Sequence, residues 1–241
     1  MCDKMSALPI QIILKRFDPI SINLNPVIVI IGHTGTTSLA GDMIAHMSPA
    51  PEHGYAACSN DCEAAYYKQR FPYVSTYEGY DNSILKEITE IQDPSVHRDC
   101  FLVIDKCHWD NSWQRDHRMR NLFINSRIFH TAVIITMGYP MGVIPIMRAC
   151  VNYVFIGREN IISNRRRIYE QWGSIFPTFE LFCEAMNVLS EREEYTFLVF
   201  DNTSTSKNID DHVFYYKVPC KDKIMHDIIW KRPSSSLTPA Q

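Results

Sequence analysis

Short apolar runs rich in β-branched residues recur at positions 10–14, 27–31, 101–104, 132–136, 151–156 and 195–200. Several lack polar alternation, as strands buried on both faces do. Helical spacing of apolar residues fills the intervals: Leu39, Met43, Ile44 and Met47; Ile84, Leu85, Ile88 and Ile91; Met119, Leu122 and Phe123; Phe179, Phe182, Met186 and Leu189. Strands alternating with helices predict a three-layer α/β fold, a largely parallel central sheet with helices on both faces. Ser48-Pro49-Ala50-Pro51 reads as the loop after the first helix and Asp93-Pro94 as a turn before the next strand. The predicted organisation is an N-terminal strand or extension over 1–25, one domain over 26–220 and a tail over 221–241, disordered from about the Pro/Ser-rich stretch at 232.

Composition narrows this picture. With 241 residues, 46% of them hydrophobic, the chain suffices for one sizeable core and is too short for two full enzymatic domains. A formal net charge of -3 gives no overall basic field, so any contact with DNA must use a local patch or an oligomeric channel. The eight cysteines (Cys2, Cys58, Cys62, Cys100, Cys107, Cys150, Cys183, Cys220) are scattered, several within apolar runs, which suits free thiols in a reducing compartment. Cys58 and Cys62 with His53 could make half a metal site, but no second pair has ligand spacing. No membrane span or signal-peptide core is evident, and a soluble, intracellular protein is expected.

The candidate chemistry begins at 27–31, which runs directly into Gly32-His33-Thr34-Gly35-Thr36-Thr37-Ser38 and then into helical spacing. A strand, a Gly/Thr loop and a helix form the context in which loop amides and a helix N-terminus hold phosphate. The pattern GxxxxGK[ST] is not met. With Gly32 at the first glycine and Thr37 at the hydroxyl position, the loop is two residues short and lacks both the second glycine and the lysine. A charged hydrogen bond of the kind that lysine makes contributes ~1.5–3 kcal/mol, so weakened or altered nucleotide binding is expected. Taken alone, these residues read equally well as an ordinary strand-to-helix turn.

The run 100–105, ending in Asp105, has the form of a Walker B strand, whose terminal acid holds magnesium through water. From here the sequence is similar to the genome-packaging ATPases of nucleocytoplasmic large DNA viruses, in the FtsK/HerA division of P-loop motors. The resemblance rests on Asp110-Asn111-Ser112-Trp113, Tyr139-Pro140-Met141-Gly142, Asn152-Tyr153-Val154-Phe155, the run 158–166 from Arg158-Glu159-Asn160, Phe176-Pro177-Thr178-Phe179 and Asp201-Asn202-Thr203. It spans roughly 26–217 and implies a RecA-like P-loop NTPase fold. It also implies ATP with Mg2+ as cofactor, a homo-oligomeric ring, and translocation of double-stranded viral DNA into a capsid. Capsid or portal-vertex proteins would be partners, and the location would be the host cytoplasm, in viral factories, or the virion.

The resemblance assigns phosphate binding to Gly32, His33, Gly35, Thr36, Thr37 and Ser38, and magnesium to Thr37 and Asp105. His33 could instead merely cap the turn. Asp105 is a catalytic candidate, as are Arg148 and Arg158, either of which could reach a neighbour's nucleotide. Arg165, Arg166 and Arg167 could face DNA phosphates or form a solvated helix face. Tyr66, Tyr67, Phe71 and Tyr73 near Lys68 and Arg70 could stack on bases, or belong to a partly buried hairpin or helix edge. Three positions depart from the family: the loop lysine is absent, Lys106 stands where a second, water-polarising acid is usual, and Gly138 where a sensor glutamine is. Their joint absence predicts hydrolysis lost or relaxed, as in a structural, regulatory or DNA-binding paralogue; activity would need another cation and a carboxylate such as Asp110 or Glu159. Lys106 could itself replace the loop lysine, or be a substitution paired with Asp105. A two-residue excision from Gly-Thr-Gly-Lys-Thr would also leave Gly35-Thr36-Thr37.

Overall fold

The computed structural model describes residues 14–90, 99–107, 112–140 and 142–219. Their strands are β1 (Lys15–Arg16), β2 (Val27–Ile31), β3 (His53–Cys58), β4 (Val74–Glu78), β5 (Cys100–Asp105), β6 (Thr131–Met137), β7 (Tyr153–Ile156), β8 (Thr196–Asp201) and β9 (Val213–Lys217). They form one sheet in the order β1-β9-β8-β7-β2-β6-β5-β3-β4, parallel throughout except where β8 runs against β7 and β9.

Alternation along β2 explains the layers. Val27, Val29 and Ile31 enter one core, where they meet α3 (Asn82–Glu90), α4 (Ser112–Arg115), α5 (His117–Ile124), α6 (Pro145–Arg148), α7 (Ile162–Trp172) and α8 (Phe179–Ser190). Ile28 and Ile30 enter the other, beneath Leu39 and Met43 of α1 (Thr36–Ala45) and Tyr66 and Tyr67 of α2 (Asp61–Arg70). With both faces covered, the central strands need no polar positions, hence their unbroken apolar runs. Phe17, 3% exposed, extends the α1 layer by packing edge-on against Tyr153, Phe155, Phe214 and Tyr216.

Several elements differ from expectation. β3, β4 and α2 carry no clear apolar signal, and β9, with its Val-Phe-Tyr-Tyr run, is a strand outside the predicted set. β3 is built from small residues because the Phe101 ring lies where a side chain at Gly54 would stand, 2.1 Å from an ideal Cβ. The predicted strand 10–14 lies outside the described residues except for buried Leu14, as do Ile91, Asp93-Pro94, Cys2, Cys220 and the tail. His53 and Cys58 sit at opposite ends of β3, roughly 16 Å apart at strand rise, and Cys62 is exposed on α2, so the proposed half metal site does not form. No described helix is long and apolar enough to cross a membrane.

The parallel strands deliver their carboxyl ends to one edge. The loops after β2, β3, β5, β6 and β7 therefore gather there. The chain leaves β2 for β3, beyond β6 and β5, while β7 lies on the opposite side; such a reversal opens a crevice at the strand ends.

Candidate functional site

The loop after β2 leaves the sheet between two neighbours. Gly32 N–H donates to Met137 O at 2.9 Å and Gly157 N–H to Ile31 O at 2.7 Å, so the ladder continues one step past the strand on both sides. Gly35 then turns the chain in the left-handed region (φ 75°) and serves as the N-cap of α1 without a side-chain cap. Among the described residues, the backbone N–H groups of His33 through Ser38 find no acceptor. The hydroxyls of Thr36 and Thr37 are buried and likewise without a hydrogen-bond partner. Buried polar groups are rarely left so, and a cluster of donors at a helix N-terminus is suited to an anion.

Two strands away, across β6, Asp105 is 0% exposed. It accepts hydrogen bonds from Thr136 Oγ1, directly opposite on β6, and from Tyr67 OH at 2.9 Å. Burial, and then the charge of Glu63, push its carboxyl above the usual carboxylate range; Thr136, Lys106 and Thr37 act in the other direction. The Thr37 hydroxyl thus lies near enough to favour the charged carboxylate, though without ordinary hydrogen-bond geometry. The residues fit a magnesium nucleotide here: Thr37 and Asp105 would hold the ion, which supplies positive charge against the phosphates. The loop itself brings no cationic side chain except a protonated His33.

Lys106 follows with φ 54°, a conformation costly for a side-chain-bearing residue. Its N–H donates to Thr136 Oγ1 at 3.0 Å, and its Nζ lies 3.2 Å from Glu63 Oε1. The lysine is therefore paired with α2 rather than with Asp105. Glu63, 6% exposed, also accepts from Ser59 N–H at 2.9 Å and Ser59 Oγ at 2.6 Å. Glu63, Tyr67 and Thr136 are site residues that the sequence reading did not find. Asn60, which caps α2 and has Glu63 three positions later, was the available signal.

Other candidates are dispersed. Arg158 donates to the carbonyls of Ser190 and Arg192, closing the end of α8. Arg148 lies beyond the opposite end of β7, where its carbonyl accepts from Val151 N–H, so the two arginines do not converge. Arg165 is buried and hydrogen-bonded to Glu159 O and Asn187 Oδ1, and it does not share a DNA-facing surface with its neighbours. Arg166 and Arg167 are exposed, over the Phe179 and Tyr139 rings. Tyr66, Tyr67 and Phe71 are buried under α2, which removes them as base-stacking residues; Tyr73 is 40% exposed. Glu159 binds Ile161 N–H and Asn164 Nδ2 and lies 3.5 Å from His33 Nε2. Asp110 lies outside the described residues.

Beside the loop, Thr34, Gly157, Arg158, Glu194 and Tyr195 line a cavity of about 280 Å³. The Tyr195 ring packs over Gly35, 2.5 Å from where a Cβ would stand. A larger hollow of about 550 Å³ opens between Tyr80 and the α4–α5 corner, lined by residues other than those of the loop or Asp105.

Asp105→Asn should raise thermal stability at neutral pH by about 1 kcal/mol, or about 2–4 °C, because it removes a buried charge while the amide oxygen still accepts from Thr136 Oγ1 and the amide nitrogen donates to the Tyr67 hydroxyl oxygen. A carboxyl whose folded pKa lies above its unfolded one favours the fold while protonated. That contribution is complete below the unfolded value and is lost as pH rises through the folded one. The variant's advantage should therefore be absent in acid and open with rising pH, as thermal melts across pH would read.

No family model matches the chain. It is 28% identical over 202 residues to protein 088R of Invertebrate iridescent virus 3, covering 81% of this chain and 77% of that one. It is 23% identical over 220 residues to protein L437 of Acanthamoeba polyphaga mimivirus, covering 85% and 76%. B204, the DNA-packaging ATPase of Sulfolobus turreted icosahedral virus, superposes with a TM-score of 0.58 at 10% identity, over 82% of this chain and all of that one. The fold is that of a P-loop NTPase. The genome packaging NTPase B204 of the related virus 2, in complex with ATP-gammaS, gives a TM-score of 0.57 at 13% identity, covering 82% and 100%. EssC ATPases 2 and 3 from Geobacillus thermodenitrificans give 0.54 at 11%, over 83% of this chain and 41% of that one.

Proposed function

We propose that the chain is a viral genome-packaging NTPase, which binds a magnesium nucleoside triphosphate between the α1 N-terminus and Asp105 and uses it to move double-stranded DNA. The observation that carries this reading is the pair of partnerless Thr36 and Thr37 hydroxyls beneath unbonded amides, beside a buried acid. An ordinary strand-to-helix turn has no need of buried donors left open. Viral relatives and the packaging NTPases among the structural neighbours support the same reading.

Residues 26–220 would form the motor domain, with 1–25 as its N-terminal extension and 221–241 as its tail. Copies would assemble into a ring at the capsid portal vertex in the host cytoplasm, where Arg148, free of side-chain partners among the described residues, could reach a neighbour's site. Arg166 and Arg167 would meet DNA phosphates.

Calorimetry with Mg-ATP on the full chain, alongside phosphate release with and without double-stranded DNA, tests the proposal. Binding that Asp105→Ala weakens at least tenfold is expected, with release stimulated by DNA. Absence of binding at millimolar ATP would sink it.

A further inference from the structure

The carboxylate missing after Asp105 has a counterpart in space. Lys106 stands where the resemblance puts a water-polarising acid, yet its left-handed backbone directs its Nζ to Glu63 Oε1 at 3.2 Å, so a carboxylate is brought to that corner from α2. Three placements orient it. Tyr67 OH reaches Asp105, and Glu63, four residues earlier, lies on the same helical face one turn nearer the strand ends. Tyr66 OH lies 3.5 Å from Ser38 O, and its ring touches Gly41, which fixes α2 against the first turns of α1. Ser59 N–H and Oγ hold Glu63 Oε2, leaving Oε1 to Lys106. A helix-capping glutamate is ordinarily solvated; this one is 6% exposed.

We infer that Glu63 accepts the proton of the water that attacks the terminal phosphate of a nucleoside triphosphate held at Thr36 and Thr37, with Lys106 as its positioning residue. The inference rests on the nucleotide reading above. The water oxygen bonds to the γ-phosphorus while the bond from that phosphorus to the β–γ bridging oxygen breaks. Its electron pair stays on the departing diphosphate, and the water proton passes to Glu63.

Glu63→Gln keeps an oxygen for Ser59 and removes the base. The full-length variant should bind Mg-ATP within about threefold of the wild type by calorimetry, melt within a few degrees of it, and retain uncleaved ATP on the protein. Its phosphate release should fall about 100-fold or more. Lys106→Met should lower kcat with KM unchanged, and Lys106→Arg should restore it. Release by Glu63→Gln at the wild-type rate would overturn the assignment. So would a wild-type protein that binds ATP and never cleaves it, an outcome that leaves nucleotide binding intact. A rise in KM alone for Lys106→Met would put Lys106 on the nucleotide and overturn its positioning role. A wild-type protein that binds no ATP would remove the nucleotide reading and this one with it.

Discussion

Inserting Gly-Lys between Thr36 and Thr37 will tighten Mg-ATP binding by about 10- to 100-fold, the factor expected when a charged hydrogen bond of ~1.5–3 kcal/mol is gained. The insertion turns 32–37 into Gly-His-Thr-Gly-Thr-Gly-Lys-Thr and keeps the threonine next to Asp105. It also gives the loop the length to wrap a phosphate rather than pass straight from Gly35 into α1. Inserting Gly-Ala instead separates length from charge. Calorimetry on both variants decides: equal affinity of the Gly-Lys form and the wild type would mean that the phosphates do not sit on this loop. Tyr195 packs against Gly35, so the lengthened loop has no room on that side.

The second large effect concerns stability. Phe17→Ala should cost about 3–5 kcal/mol, or a fall of roughly 10 °C in Tm, because the ring is 3% exposed and touches four other aromatic rings at once. Phe17→Leu, which fills most of the volume, should lose much less. Thermal or urea unfolding reads both. A loss below about 1 kcal/mol for the alanine variant would mean that the segment before β2 is not part of the folded core.

What could be read from the chain follows burial. β2, β5, β6, β7 and β8 are covered on both faces, so each is an apolar run and each is visible. β4 is an edge strand with half-exposed residues, Val-Ser-Thr-Tyr-Glu, and carries no such run. β3 is hidden for the opposite reason: Gly54, Ala56 and Ala57 are small because a neighbouring ring and helix take the space. α2 reads as polar because its buried face consists of Glu63, Tyr66 and Tyr67.

The site divides in the same way. Residues local to one motif, such as Thr36, Thr37 and Asp105, were legible. Thr136 meets Asp105 only through strand register, and Glu63 meets Lys106 only through the placement of α2, information that spacing along the chain does not contain. In the arginine run at 165–167, Arg166 and Arg167 are exposed, but Arg165 departs from both expectations because it is buried where Glu159 and Asn187 satisfy its guanidinium.

The pairing of β1 with β9 bears on how the protein is made. Lys15 aligns with Phe214 and Arg16 with Tyr215, so the outer edge of the sheet joins segments some two hundred residues apart. At ribosomal rates of about 5–20 residues per second, the first of these strands waits roughly 10–40 s for its partner. Throughout that interval Phe17 lacks the rings of Phe214 and Tyr216, and β8, otherwise an inner strand, has an unpaired edge from its own synthesis until β9 follows. Nascent chains should therefore remain open to chaperones until β9 has been made.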